Sequence, residues 1–265
     1  GSVDATVMVA YRFLLSAALL LPVVLLRKHK LALLKESAIL ASILATLYVS
    51  QTVGLNYTSA SNSGFITGLF VIFVPVFMLI FFKTAPTPVQ WGASLLALAG
   101  LWLLTGGVGR INRGDALTVL SAMTYAGHLL ATDKYVRADA DAILLAFHQF
   151  WMTGLIALAF AFLQGAPLSV GSAKAGGVIV FLAVIPTLSA FYIQMLAQKF
   201  TAPVKVSLIF SLEPVFAAAF AWTLGGELFK PSSAAGGALI VAAMMAGELS
   251  KLPLLKGRKK EVLPV

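Results

Sequence analysis

Ser63-Gly64-Phe65-Ile66-Thr67-Gly68-Leu69-Phe70-Val71-Ile72-Phe73-Val74-Pro75-Val76-Phe77-Met78-Leu79-Ile80-Phe81-Phe82 runs for twenty residues without a charged side chain. As a helix rising about 1.5 Å per residue, such a run crosses the ~30 Å hydrocarbon layer of a bilayer. Read by the same criterion, the chain predicts nine spans, at 5 to 26, 37 to 56, 62 to 82, 88 to 106, 115 to 133, 141 to 163, 175 to 196, 204 to 225 and 232 to 250. The connectors are short and rich in turn residues, as in Pro86-Thr87-Pro88 and Gly106-Gly107-Val108-Gly109. None is long enough for a water-soluble domain.

Composition agrees. Sixty per cent of the 265 residues are hydrophobic and 11% charged, against roughly a quarter charged in a soluble domain. The first apolar stretch is too long for a signal-peptide core and has no basic region before it, so it reads as a membrane helix. The absence of cysteine excludes disulfides, thiolate catalysis and Cys-based metal centres.

Nearly all of the 19 Lys+Arg lie in or beside the connectors rather than along one polar face. Alternating spans put fourteen of them on one side, among them Arg27, Lys28, Lys83, Lys134, Lys199 and the Lys256–Lys260 cluster. Four lie on the other side (Arg110, Arg113, Lys174 and Lys230), and Arg12 is within the first span. The positive-inside rule makes the richer side cytoplasmic, with the C-terminus inside. The net positive charge then reads as a topology signal with some affinity for anionic lipid, not for nucleic acid. The expected setting is a cell membrane, the inner membrane of a bacterium.

Val74-Pro75-Val76-Phe77 in the third span and Glu213-Pro214-Val215-Phe216 in the eighth are 139 residues apart. Each is followed by a polar connector and a Gly/Ala-rich helix. The copies are offset by five spans, and an odd offset inverts the second, as in the repeats of many secondary transporters. The expected division is a first repeat at 1–107, a second at 108–252 and a basic tail at 253–265. The first repeat holds four spans and the second five. Together with the Gly1-Ser2 start, that implies a ten-helix parent lacking its first helix here, with both ends cytoplasmic.

Ile185-Pro186-Thr187-Leu188-Ser189-Ala190-Phe191-Tyr192-Ile193-Gln194, then Ala197-Gln198-Lys199, then Ser207 to Ala218 with its Leu212-Glu213-Pro214-Val215 core, closely resemble the EamA-type branch of the drug/metabolite transporter superfamily. Tyr11-Arg12-Phe13 is similar to the start of that family's second helix. Lys83-Thr84-Ala85 departs from the pattern, since first-repeat copies often carry an acid there. The resemblance implies an all-α basket of ten helices in two inverted halves that exports or exchanges a small metabolite, often an amino acid.

Charged groups near mid-bilayer are costly enough to need a partner, an aqueous cavity or a function. Arg12, His128, His148 and Glu213 meet that description. Ser121, Tyr125, His128 and Thr132 share one face of the fifth span. His128 and His148 fall at similar depth on adjacent helices, could face one cavity together with Gln149, and carry imidazoles able to exchange protons near neutral pH. Tyr48 and Gln51 on the second span, and Thr187 and Gln194 on the seventh, complete a substrate-binding set that could recognise the ends of a zwitterion. Pro75 and Pro214 would kink their helices. With Glu213 and Arg12 they form a gating or structural set, Arg12 being able to snorkel to the interface or pair with a carboxylate. Gly64 and Gly68 fit a small-xxx-small packing pattern.

These features predict a carrier working by alternating access, with a small-molecule substrate, the lipid bilayer as its surroundings, no cofactor and no metal. A homodimer is compatible with such a bundle. A non-transporting receptor or assembly subunit is the alternative. An intramembrane enzyme would need a nucleophile with its base, paired acids or a metal cluster, and no such set is evident.

Overall fold

The computed structural model describes residues 3–28, 30–107, 111–224, 226 and 228–249, with Glu248 and Leu249 by their backbone alone. The basic tail at 253–265, Arg110 and Gly225 lie outside the described residues, as does the side chain of Glu248. The chain is an all-α polytopic membrane protein. Its helices are α1 (Ala5–Leu25), α2 (Leu34–Gly54), α3 (Ala60–Gly68), α4 (Phe70–Phe82), α5 (Pro88–Thr105), α6 (Arg113–Arg137) and α7 (Ala142–Leu163). They continue with α8 (Ala173–Leu182), a π-helical segment (Ala183–Ser189), α9 (Ala190–Gln198), α10 (Pro203–Phe210), α11 (Glu213–Thr223) and α12 (Pro231–Leu249).

Seven of the nine expected spans are long and apolar enough to cross a membrane, and the last contains a shorter apolar helix, Pro231–Gly247. Helix α6 has the length, at 25 residues. It is diluted by its polar face and by Asp115, Asp133 and Lys134, and it is sheltered by α2, α3 and α4.

Local chemistry sets the ends. Asp4 and Asp141 cap α1 and α7 by accepting from backbone N–H groups of the first turn. Thr87 with Gln90, and Asn112 with Asp115, form reciprocal capping boxes at α5 and α6. Three spans are interrupted. The third breaks at Leu69, between α3 and α4, while α4 runs on through Pro75. The seventh widens to π-helical register around Pro186. The eighth turns at Ser211–Leu212, so Pro214 enters the first turn of α11, where its missing N–H costs nothing.

The two most extensive helix pairs are α5 with α12 and α1 with α7. Both are made by small residues, as expected where lipid supplies no hydrophobic drive and association rests on close packing. A Cβ on Gly100 would lie 2.7 Å from the Gly236 carbonyl oxygen, and one on Gly154 would lie 2.7 Å from Leu14 Cγ. Of the Gly64/Gly68 pattern, Gly68 packs against Leu101, whereas nothing lies within 4 Å of a Cβ on Gly64.

Buried side chains fall into two bodies. One gathers Phe13 of α1, Leu40, Leu44 and Leu47 of α2, Leu145 and Phe150 of α7, and Phe191 and Met195 of α9. In the other, Phe70, Val71 and Val74 of α4 join Ala93 and Ala97 of α5, Val204, Val206 and Leu208 of α10, and Ala243 of α12. A satellite cluster of Phe65, Ile66, Leu101, Leu104 and Ile240 extends the second body through α3. Helix α6 spans both, with Tyr125 packed against each. On the side richer in Lys and Arg, ion pairs join Arg27 to Asp141 at 3.1 Å and Lys199 to Asp139 at 3.8 Å between connectors, while Arg137 pairs with Asp133 at 2.9 Å within the last turns of α6.

Candidate functional site: a central cavity between the two bodies

A cavity of about 690 Å³ lies where the bodies meet. The first body contributes Arg12, Leu44, Leu47, Tyr48, Gln51, Leu182, Pro186, Ala190, Phe191 and Gln194. From the second come Thr67, Ile209, Phe210, Leu212, Glu213 and Phe216, and α6 adds Tyr125. This is the size of a small-molecule site: mainly apolar and aromatic walls with a few placed polar groups.

Arg12 and Glu213 bring a guanidinium and a carboxyl group to the same cavity. Arg12 Nε donates to Thr187 Oγ1 at 2.8 Å. Its guanidinium carbon lies 5.0 Å from the centroid of the Tyr48 ring and 5.3 Å from that of Phe13, within cation–π range. Gln51 Nε2 donates to Thr67 Oγ1 at 3.0 Å, joining α2 to α3 across the wall. Tyr125 stands between Phe70, 4.5 Å away by ring centroids, and Phe210, 6.2 Å away. Phe191 closes one side, edge-on to Phe150 and His128.

Of the residues the sequence singles out for substrate, Tyr48, Gln51, Tyr125 and Gln194 are on the cavity wall together with Arg12 and Glu213. Thr187 is buried behind Arg12 and does not line the space. His128 is also off the wall: it is fully buried, its Nε2 is 3.0 Å from Gln149 Oε1, and Phe191 stands between it and the cavity. His148 belongs to a different neighbourhood. Trp151 Nε1 donates to its Nδ1 at 3.1 Å, so its Nε2–H donates to the Lys30 carbonyl at 2.8 Å. The two histidines therefore do not face a common cavity. Pro75 is buried within α4, and Pro214 lies at a separate cavity near Trp222 and Lys230.

Sequence reading missed Thr67, Phe210 and Phe216 as wall residues. Thr67 had a signal: it enters the bilayer on the helix after Gln51, across a short connector, which puts the two at comparable depth. Phe210 and Phe216 had none, because one aromatic among many apolar neighbours does not announce which side of its helix faces a cavity.

A second cavity of about 580 Å³ lies at the connectors, between α1–α2 and α6–α7, and includes the Arg27–Asp141 pair. It sits to one side of the seam between the bodies, so the central cavity is the better candidate for a path through the protein.

A model of the EamA-like transporter family matches residues 1–106 and 112–246. An uncharacterized transporter of Archaeoglobus fulgidus is 30% identical over 201 residues, which cover 75% of this chain and 63% of that protein. The chain thus spans about 63% of the length of the curated relative it matches. A solved structure described as the crystal structure of a protein superposes with a TM-score of 0.80, covering 96% of this chain and 91% of its own at 17% identity, and so speaks to the fold alone. With both halves of its sequence matched, and the helical bundle those matches require in place, the chain belongs to the EamA-like transporter family.

Proposed function

We propose that this chain forms the transport path of a secondary carrier for a small zwitterionic metabolite, an amino acid or related compound, bound in the central cavity and moved by alternating access. The observation that carries the proposal is the joint presence of Arg12 and Glu213 on the wall of one cavity of about 690 Å³. A charge inside a membrane protein is costly unless it is paired or functional. Two opposite charges bordering a space, rather than closed on each other in an ion pair, fit a solute with a carboxylate at one end and an ammonium group at the other. Guanidinium suits the carboxylate because it can make two parallel hydrogen bonds. Tyr48, Tyr125, Phe210 and Phe216 suit an apolar side chain extending from the zwitterionic head.

We read the chain as two inverted repeats dividing near residue 107, and the alternating-access part of the proposal rests on that reading. Separate family matches cover the two halves. The first span packs against the sixth, α1 with α7, and the fourth against the ninth, α5 with α12, which suits equivalent positions in two such repeats. Arg12, Gln51 and Thr67 all lie within about two turns of the helix ends on the side poor in Lys and Arg. With the richer side cytoplasmic, the cavity faces outward. Toward the richer side, Met195 packs with Phe150 and Phe191, and Gln198 Nε2 donates to the Leu129 carbonyl at 2.9 Å.

The test is flux in proteoliposomes for a panel of amino acids, nucleosides and polyamines, with and without a pH gradient. The proposal expects amino acids to move, and expects Arg12→Gln and Glu213→Gln each to abolish most of that flux. Absence of amino-acid flux in the parent protein, or full flux in both variants, would overturn it.

A further inference from the structure

We infer that the Pro186–Thr187 step, with Ser16, positions Arg12: it takes up the Nε–H of the guanidinium so that the two terminal nitrogens are presented to the cavity as a carboxylate-binding fork. The inference rests on the proposed zwitterion site and assigns Thr187 a role behind the binding surface.

The device begins in the sequence. Pro186 has no N–H to give the carbonyl of Leu182, four residues earlier. The helix there takes the wider π-helical register over Ala183–Ser189. Such widened turns are frequent at functional sites. The wider register brings the Thr187 hydroxyl to the Leu182 carbonyl, five residues back, to which it donates at 2.7 Å. In a regular turn a Thr hydroxyl reaches the carbonyl three or four residues back, so this bond depends on the widening. With its proton directed at Leu182, the hydroxyl can only accept from Arg12, and it does so from Nε at 2.8 Å.

Helix α1 is docked to the same segment one turn later. Ser16 Oγ lies 2.8 Å from the Ala183 carbonyl and 2.7 Å from that of Arg12. Arg12 and Ser16, four residues apart on α1, thus meet a hydroxyl and a carbonyl offered by one distorted turn. Thr187 and Ser16 have no exposed surface, so neither is a solute contact. A guanidinium has five N–H donors in a fixed plane. With Nε fixed on Thr187 and the guanidinium carbon 5.0 Å from the centroid of the Tyr48 ring, whose side chain is also a hydrogen-bond partner of Arg12, the remaining N–H groups of the forked end are the part available to a ligand.

A structural role alone would lower stability for every solute equally. Positioning predicts an effect confined to solutes with a carboxylate. The probes are L-phenylalanine and 2-phenylethylamine, which differ by that group. Flux is measured in proteoliposomes for the parent protein, Thr187→Val and Thr187→Ser. Thr187→Val should raise KM for L-phenylalanine roughly tenfold with little change in kcat, the loss expected of one charge-assisted hydrogen bond. KM for 2-phenylethylamine should stay put, and Thr187→Ser should restore parental values.

A second readout needs no transport. Phenylglyoxal consumes the terminal guanidinium nitrogens, and labelling of Arg12 can be followed by mass spectrometry. The rate should fall at least threefold in Thr187→Val, as the released guanidinium turns toward Glu213, and recover in Thr187→Ser. Equal labelling rates in all three proteins, or a KM change shared by both probes, would overturn the positioning role. Normal L-phenylalanine transport in Arg12→Gln would instead overturn the zwitterion site itself.

Discussion

Gly100→Ala adds one methyl group where α5 crosses α12, and its cost can be worked from the geometry. The new Cβ would lie 2.7 Å from the Gly236 carbonyl oxygen, 2.8 Å from Ile240 Cγ1 and 2.9 Å from the Ile240 nitrogen. Two of these atoms are backbone, so no rotamer change relieves the contact. Reaching an ordinary 3.4 Å separation requires the helices to part by 3.4 − 2.7 = 0.7 Å. The damage is not confined to one residue, since a gap of 0.5–1 Å forfeits about a quarter to a half of each dispersion contact it opens. Overpacking of this kind costs about 1–3 kcal/mol, and α5–α12 is the most extensive pair in the fold. At about 2 kcal/mol, a protein of this size should lose roughly 4–8 °C in melting temperature. The assay is thermal unfolding of the detergent-solubilised protein, with Gly92→Ala as the control because a Cβ there meets nothing within 4 Å. The reasoning fails if Gly100→Ala melts within a degree of the parent, or if Gly92→Ala falls as far.

Asp115→Ala removes the buried acceptor of the Thr58 hydroxyl, 2.6 Å away, and of the Asn112 N–H, 2.9 Å away. Stability should fall by about 2–3 kcal/mol, read as a lower melting temperature, and Asp115→Asn should recover part of it. Thr87→Ala dissolves the capping box of α5, so a loss of about 1 kcal/mol is expected, with faster hydrogen exchange confined to the first turn of that helix. His128→Leu removes a fully buried ring bonded to Gln149. The variant should be less stable yet keep the parental KM for L-phenylalanine, and a raised KM at unchanged stability would return His128 to the binding site.

Span existence was legible from residues alone because hydrophobic length in a membrane is nearly unambiguous. The predicted limits for α1, α5 and α7 differ from the observed helices by one residue at an end. The interruptions were less legible. Pro186 and Pro214 announced distortion, but Leu69 itself carries no breaking chemistry, and α3 and α4 on either side of it both pack against α5 and α6. Part of the candidate site was visible through one argument, that a charge in a membrane needs a reason. It marked Arg12 and Glu213 without showing that they share a cavity, since they come from spans 201 residues apart in sequence. The same argument also marked His128 and His148. His128 is buried against Gln149 and Phe191, and His148 Nε2 is bonded to the Lys30 carbonyl, both away from the cavity wall. The sequence put Thr187 with Gln194 in the substrate-binding set, but Thr187 lies within the π-helical segment Ala183–Ser189 and is buried beneath Arg12.

The chain has no cysteine, so a single thiol reports directly on the central cavity. In proteoliposomes, Gln51→Cys should react with a membrane-impermeant thiol reagent, and saturating L-phenylalanine should slow that reaction severalfold. His148→Cys, off the cavity, should resist the reagent with or without L-phenylalanine. A Gln51→Cys thiol that stays unreactive, or that reacts at a rate L-phenylalanine does not change, would contradict a solute-binding cavity between the two bodies.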